Sequence, residues 1–173
     1  MKEFKNLIVL GPLIYALHHF EEHIVFNFRE WRLRYFSDNN PSSTEEILVT
    51  LISLILIAIF IHLIKNNRGS AHIILFHLMT TQVANAFFHI FFSIYYNDFS
   101  PGLITAICLY IPINVLIIRS ALEEGFLKNR LELFVLSFLG IMTFALFEII
   151  GPEIIRYSIL LCAFYYLWVN RLR

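Results

Sequence analysis

The sequence predicts an all-α integral membrane protein, a polytopic transmembrane helical bundle of about six spans with a short interfacial helix after the first span. Two observations predict this fold class. Of the 173 residues, 58% are hydrophobic and only 15% are charged, whereas an average soluble domain is about 45–50% apolar and about 25% charged. The apolar residues also fall into runs of roughly the 20 residues that a membrane-crossing helix needs. We expect residues 1–173 to form one domain.

Six segments have the length of a span, and short polar stretches separate them. Gly and Pro mark two of the turns, at Pro101-Gly102 and at Gly151-Pro152, since these residues interrupt helices. Pro112 is expected to kink the fourth segment. The chain shows no internal repeat. The predicted spans are about 7–26, 47–64, 71–96, 103–118, 133–150 and 154–169.

Residues 27–46 form the longest polar stretch between two spans. The first half, 28–36, mixes three arginines with aromatic residues. This mixture is typical of an interfacial helix whose arginines extend towards water. A serine pair followed by a glutamate pair then predicts the capped start of the second span, with Ser42 or Ser43 as the cap.

The basic residues predict an orientation. With six spans, nine of the 13 Lys and Arg residues lie on the side that holds both termini. Because cytoplasmic loops carry the excess of Lys and Arg, we expect a multi-pass protein of the cell membrane with both termini in the cytoplasm. The 13 basic residues are balanced by 13 acidic ones, so no nucleic-acid partner is implied. Cys108 and Cys162 lie in apolar segments and do not predict a disulfide framework.

The first span contains a dense group of ionisable side chains: His18, His19, Glu21, Glu22 and His23. One charge at the centre of a span costs about 2.5–3.5 kcal/mol, so two adjacent glutamates need partners, protons or a metal. His18, Glu21 and Glu22 have the i, i+3, i+4 spacing that places side chains on one helix face. We therefore expect these three to converge. In the alternative interpretation the cluster marks the membrane interface, and the span ends near His18.

The third span carries a second polar face. At three- and four-residue spacing it presents Thr81, Gln82, Asn85, His89 and Ser93. A polar face on a helix rich in phenylalanine and isoleucine is expected to line the bundle interior or a cavity, although such residues also join helices by hydrogen bonds. We assign Asn85 and His89 to a site and the other three to helix contacts. In the six-span arrangement the two site residues lie at the depth of His18 and near Thr105.

Two other polar groups have simpler interpretations. Glu148 and Arg156 are expected to form an ion pair between the fifth and sixth spans. His62, His72 and His77 lie towards the opposite side of the membrane. They could form a second metal site, but histidines near span ends are more often interfacial.

The motif His18-His19-Phe20-Glu21-Glu22 is followed by Trp-x-x-x-Tyr-Phe at 31–36, Asn-x-x-x-His at 85–89 and Tyr-x-x-x-x-Pro-Gly-x-x-Thr at 96–105. In this order and spacing the motifs resemble the HXXEE-domain family of small bacterial membrane proteins, over nearly the whole chain. The family has no established biochemical function, so the resemblance implies no reaction. It implies which positions form the site, namely His18, Glu21, Glu22, Asn85, His89 and Thr105.

The first functional hypothesis is an intramembrane, metal-dependent enzyme of the hydrolase or acyl-transfer type. His18, His89 and one glutamate, preferably Glu22, would hold zinc or iron. The other glutamate would act as general base. Asn85 and Thr105 would orient the substrate or stabilise an oxyanion. Membrane lipid or another lipidic, membrane-soluble small molecule is the expected substrate.

Other functions stay open at this point. An oxygen-dependent iron reaction suits the same ligands, and a metal-free enzyme could use His18 and Glu22 as an acid–base pair. The protein could instead be a small proton- or cation-coupled transporter or ligand-binding protein, a role that a homo-oligomer would suit, although many carriers show an internal repeat. In a third class, a non-catalytic accessory subunit, the polar cluster would only fix helix packing.

Overall fold

The structure, a computed structural model, describes residues 3–38 and 42–171. These residues are mostly helical and include no strand. Three π turns continue or interrupt the α-helices, at Glu21–Val25 after the second helix, Met79–Val83 within the fifth and Ala106–Tyr110 within the sixth. In chain order the helices are α1 (Phe4–Leu7), α2 (Leu10–Phe20), α3 (Phe28–Tyr35), α4 (Thr44–Lys65), α5 (Arg68–Tyr95), α6 (Leu103–Glu123), α7 (Arg130–Ile150) and α8 (Glu153–Arg171).

Four helices, α4 to α7, are long and apolar enough to cross a membrane. They correspond to the second to fifth predicted spans. The first and sixth predicted spans are not confirmed. The chain turns at Ile8 and Val9, so α2 and its π turn have only eleven and five residues, fewer than the roughly 20 of a full span. Helix α8 has 19 residues, but Arg156 and several tyrosines interrupt its apolar sequence.

Local sequence signals explain where α3 and α4 begin. Helix α3 covers most of the predicted interfacial segment, and the side chain of Asn27 caps its start. At the start of α4, the Ser43 hydroxyl accepts the N–H of Glu46 at 3.1 Å, and the Glu46 carboxylate accepts the N–H of Ser43 at 3.0 Å. This reciprocal pair is a capping box. The predicted helix start at the second span is therefore confirmed, with Ser43 as the cap.

The bundle has two ends with different contacts. At one of them, the α3 end, the Tyr35 hydroxyl donates to the Asp98 carboxylate at 2.9 Å and so joins α3 to the α5–α6 loop. At the other, the terminal end, the Phe4 N–H donates to the Glu124 carboxylate at 2.7 Å. The α4–α5 turn contacts the last part of α8 at the terminal end as well.

Helix α5 is the central helix of the bundle. In its most apolar stretch of 18 residues, 44% is buried inside the protein, compared with 11–28% for the corresponding stretches of α4, α6 and α7. Large apolar side chains on the outer helices face outward instead; Phe60, Phe134 and Phe164 are 63%, 66% and 72% exposed. An exterior of this kind is unusual for a soluble monomer and is consistent with a location in a membrane.

The buried apolar core lies towards the terminal end. There Phe4, Ile8, Ile117 and Leu127 pack against the first half of α5. Towards the α3 end a smaller apolar cluster of Ile14, Ala86, Ala106 and Tyr110 lies beside buried polar side chains. These polar side chains form the candidate site.

Candidate metal centre

Three buried side chains converge where the π turn after α2 meets α5. His18 and His89 are 1% and 0% exposed, and Glu22 is 8% exposed. Oε1 of Glu22 lies 3.3 Å from Nε2 of His18 and 3.1 Å from Nε2 of His89. Two ligands bound 2.0–2.1 Å from a tetrahedral ion lie roughly 3.3 Å apart. The three side chains could therefore hold a metal ion between them.

The contact between Glu22 and His89 is short but poorly aligned for a hydrogen bond. Nε2 of His89 is buried and has no hydrogen-bond partner among the described residues, although Oε1 of Glu22 is 3.1 Å away. The carboxylate is close enough but out of line with the ring nitrogen. Leaving a buried polar atom without a partner costs about 1–3 kcal/mol. A metal ion between the three side chains would supply the missing partner.

A hydroxyl group holds the other ring nitrogen of each histidine. Nδ1 of His18 lies 2.7 Å from the Thr105 hydroxyl, and Nδ1 of His89 lies 2.8 Å from the Ser100 hydroxyl. The Thr105 hydroxyl donates to the carbonyl of Gly102 at 3.3 Å, so its oxygen accepts the Nδ1–H of His18. The lone pair of neutral His18 is then on Nε2, facing Glu22. Metal-binding histidines are held by a hydrogen bond on the second nitrogen in the same way.

Asn85 lies beside the same face of His18. Its amide Nδ2 is 3.1 Å from Nε2 of His18 and donates to the lone pair there, so an ion on this nitrogen would displace the Asn85 amide. Asn85 is half-buried and also lines a cavity next to His18, Glu22 and His89, which together are called the ligand group. It therefore stands between the buried ligands and the space that a small molecule could occupy.

The predicted convergence of Glu21 with His18 and Glu22 is wrong, because the Glu21 carboxylate caps the start of α6 instead of joining the potential metal ligands. Its carboxylate accepts the backbone N–H groups of Gly102, Ile104 and Thr105 at 3.2, 3.1 and 2.7 Å. A carboxylate is favourable at a helix N-terminus, where free N–H groups and the helix dipole meet it. The two adjacent glutamates thus have separate partners. These contacts fit a positioning role for Glu21, and its use as a general base stays a prediction.

The loop before α6 packs directly on the ligand group. Gly102 has a φ of 99°, in the left-handed region that favours glycine. A Cβ at this position would lie 2.7 Å from Cε1 of His18, 2.8 Å from Cε1 of His89 and 3.0 Å from Cγ of Glu22. On another side the ring of Tyr110 covers His18, with 4.4 Å between the ring centroids. No side chain fits at position 102, and the ligand group is tightly enclosed.

All three π turns border the site. The first contains Glu21 and Glu22, the second ends just before Asn85, and the third follows Thr105 and contains Tyr110. A π turn changes the direction of the side chains that follow it and frequently occurs at functional sites. The irregular helix geometry therefore coincides with the candidate site on three separate helices.

A cavity of about 190 Å³ opens beside Glu22. Glu22, Asn85 and Thr81 contribute polar groups to its lining, and α4, α5 and α7 contribute apolar side chains, among them Leu51, Leu54, Phe76, Phe144 and Phe147. The cavity therefore combines apolar walls with polar groups next to the potential metal ligands.

A second cavity, of about 380 Å³, lies between α4, α5 and α8. Its lining is mostly apolar and includes residues that are exposed on the outside of the bundle, such as Ile57 and Leu167. The two cavities adjoin, because both are lined by Leu54, Phe76, His77 and Ser158. The two cavities therefore lie side by side between α4, α5 and α8.

The lining of the first cavity at the α3 end includes an ion pair that differs from the expected one. Nη2 of Arg32 lies 3.1 Å from Oε2 of Glu148. The predicted pair between Glu148 and Arg156 is wrong, because Arg156 binds Glu153 of its own helix at 2.9 Å. Glu153 lies three residues before Arg156 on the same helix and takes up its guanidinium group. Helix α3 folds back and brings Arg32 to Glu148 instead.

Helix α3 is held in this position by aromatic and polar contacts. The ring of Tyr35 stacks on that of Tyr96, with 3.9 Å between the centroids. The hydrogen bond from the Tyr35 hydroxyl to the Asp98 carboxylate raises the pKa of Tyr35 above its ordinary value. Because α3 also supplies Arg32, these contacts fix the α3 end of the cavity.

The other three histidines of interest do not meet. Nδ1 of His62 lies 2.8 Å from the Ser70 hydroxyl, and His72 contacts the Tyr165 hydroxyl. His77 lines both cavities. No potential metal-binding group in residues 3–38 and 42–171 contains any of the three. These three histidines therefore do not form the second metal site that the sequence left open.

The structure adds two residues to those predicted from the sequence. Ser100 holds His89, and Tyr110 covers His18. Ser100 directly precedes Pro101-Gly102, for which the sequence predicts a turn and a family motif but no contact with a histidine. The position of Tyr110 depends on the π turn in α6, for which the sequence offered no signal except the nearby Pro112.

A family model described as "protein of unknown function with HXXEE motif" matches residues 9–117. The matched range contains His18, Glu22 and His89 together with Asn85 and Thr105, and it ends within α6. No curated protein and no solved structure matches the chain.

Proposed function

The chain belongs to the family of proteins with an HXXEE motif, whose function is unknown, and we propose that it is an integral membrane enzyme with a metal ion on His18, Glu22 and His89. The reaction we propose is hydrolysis or transfer of an acyl group of a lipidic substrate. One observation carries the proposal: three buried potential ligands meet beside a cavity with apolar walls.

The proposed roles follow from the contacts of each residue. A zinc or iron ion on the three ligands would polarise a carbonyl oxygen and activate a water molecule at an open position. Asn85, which lines the cavity, orients the substrate carbonyl. Thr105 and Ser100 orient the histidines, and Glu21 positions the start of α6. In hydrolysis the water oxygen bonds to the acyl carbon, the ester C–O bond breaks, and the proton of the water passes to the alcohol oxygen.

The arrangement of the cavities supports a lipidic substrate. The outer cavity between α4 and α8 is mostly apolar and adjoins the inner one at Leu54 and Phe76. An acyl chain in the outer cavity would therefore direct its ester end towards Glu22. We propose that the substrate enters laterally from the bilayer by this route.

Reconstituted protein tests the function. Zinc-loaded protein in vesicles of mixed phospholipids and diacylglycerol is expected to release fatty acid or a transacylated lipid, detected by mass spectrometry of the lipid extract, and chelation should stop the reaction. Leu54→Trp should slow it at least tenfold by filling the junction of the cavities. Val49→Trp is the matched control, since Val49 is 63% exposed on α4 and lines neither cavity.

The same vesicles test the main alternative. If the lipids stay unchanged while an entrapped pH-sensitive dye reports proton movement that Glu22→Gln abolishes, the protein is a proton-coupled transporter and the enzyme proposal fails. A lipid product that Leu54→Trp and Val49→Trp leave equally abundant would contradict the lateral route only.

A further inference from the structure

Glu22 presents one carboxylate oxygen to each of two groups of histidines. Oε1 faces His18 and His89, as described above. Oε2 lies 3.7 Å from Nε2 of His23. The potential ligand atoms of His19, Glu22 and His23 all lie within 4.8 Å of one another. Glu22 therefore belongs to two sets of three potential metal ligands, one on either side of its carboxylate.

The second set has the local geometry of a metal site on a helix. His19 and His23 are four residues apart, which places them on one helix face; two histidines at this spacing bind zinc in other helical sites. Their ring centroids are 4.4 Å apart. Both line the cavity of about 190 Å³ beside Glu22, and both are only partly buried. An ion there would be accessible to a molecule in the cavity.

We propose that Glu22 bridges a two-metal centre, with one ion on His18, His89 and Oε1 and a second ion on His19, His23 and Oε2. This inference rests on the proposed function and extends it from one metal ion to two. Ions in two-metal sites lie about 3.5–4 Å apart and act together on attacking and leaving oxygens. The buried site binds the first ion more tightly, because Thr105 and Ser100 orient its histidines. The second ion faces the substrate.

Zinc titration of the purified protein tests the second site. The protein is purified in detergent without a histidine tag, stripped of metal, and titrated with zinc alone, with bound metal counted by mass spectrometry after buffer exchange. The wild type is expected to bind two equivalents, and His19→Ala/His23→Ala to bind one. Glu22→Gln should weaken both sites at least tenfold. His77→Ala is the matched control, since His77 lines the cavity but belongs to neither ligand set.

The outcomes separate this inference from the proposed function. One equivalent in the wild type, unchanged in His19→Ala/His23→Ala, overturns the two-metal centre and leaves the one-metal proposal in place. Two equivalents in both proteins also overturn it, because the second ion would then lie elsewhere. No bound zinc in a folded wild type overturns both. Since His19 and His23 are partly exposed, the double variant should keep the monodisperse elution of the wild type, and His19→Asn/His23→Asn repeats the test with smaller changes.

Discussion

Oε1 of Glu22 lies 3.1 Å from Nε2 of His89, and so connects the π turn after α2 to the last third of the central helix α5. The contact is buried, and it is not aligned as a hydrogen bond. The geometry suits two ligands of one ion better than an isolated carboxylate–imidazole pair. A third element, the loop that ends at Gly102, closes over the contact.

The adjacent glutamates should respond differently to substitution. Glu22→Gln removes a proposed ligand and should lower zinc affinity at least tenfold. Glu21→Ala leaves three backbone N–H groups at the start of α6 without their acceptor, at about 1–3 kcal/mol for each buried donor that finds no other partner. It should therefore lower the Tm in detergent while the folded protein keeps zinc. Equal zinc loss in both folded variants would contradict the separate roles.

Gly102→Ala should disrupt the ligand group. A Cβ at this position would lie within 3 Å of both His18 and His89, so the rings must move apart. Gly125→Ala is the matched control: Gly125 also has a positive φ, 76°, but a Cβ there meets nothing within 4 Å. We expect zinc binding to fall at least tenfold in Gly102→Ala and to be unchanged in Gly125→Ala. Full zinc binding by Gly102→Ala would show that the loop does not enclose the site.

Thr105→Val should weaken the metal site without removing a ligand. Valine has the shape of threonine but cannot accept the hydrogen bond from Nδ1 of His18. Loss of a hydrogen bond that orients a metal ligand typically costs about 10–100-fold in metal affinity. Thr105→Ser keeps the hydroxyl and should restore affinity. Thr81→Val is the control, because the Thr81 hydroxyl donates to a carbonyl of its own helix. A zinc affinity that is the same in Thr105→Val, Thr105→Ser and the wild type would contradict this role.

The two loops at opposite ends of the bundle should lie on opposite sides of the membrane. In a background without Cys108 and Cys162, single cysteines at Ser37 and Asn129 are expected to react with an impermeant maleimide from different sides of sealed vesicles. Three of the four helices long enough to span, α4 to α6, lie between these two positions, and an odd number of spans puts them on opposite sides. Labelling of both cysteines from one side would contradict this arrangement.

The sequence was most informative where apolar length and capping decide the structure. The four central spans follow from hydropathy, and the Ser43 cap of α4 from its serine–glutamate spacing. The first predicted span was too long, because a turn at Ile8 and Val9 separates α1 from α2. Hydropathy cannot detect such a turn, since both residues are as apolar as their neighbours.

The meeting of His18, Glu22 and His89 could be predicted because each lies on a polar helix face and polar faces avoid lipid. The separate contacts of Glu21 and Glu22 could not be predicted, because helical spacing places both side chains near the same face. It depends on the position of the free N–H groups of α6, which is a tertiary contact. The pairing of Arg32 with Glu148 likewise depends on how α3 folds back.

The metal content of the purified protein shows whether His18, Glu22 and His89 hold an ion. The protein is expressed in medium with zinc and iron, purified without chelators, and measured by plasma mass spectrometry. We expect at least one equivalent of zinc or iron per chain in the wild type and its loss in His18→Ala and His89→Ala. His62→Ala is the matched control, because it also removes a buried histidine held by a serine hydroxyl, and it should keep the metal. A folded wild type without metal, or equal metal in all four proteins, would contradict a metal ion on His18, Glu22 and His89.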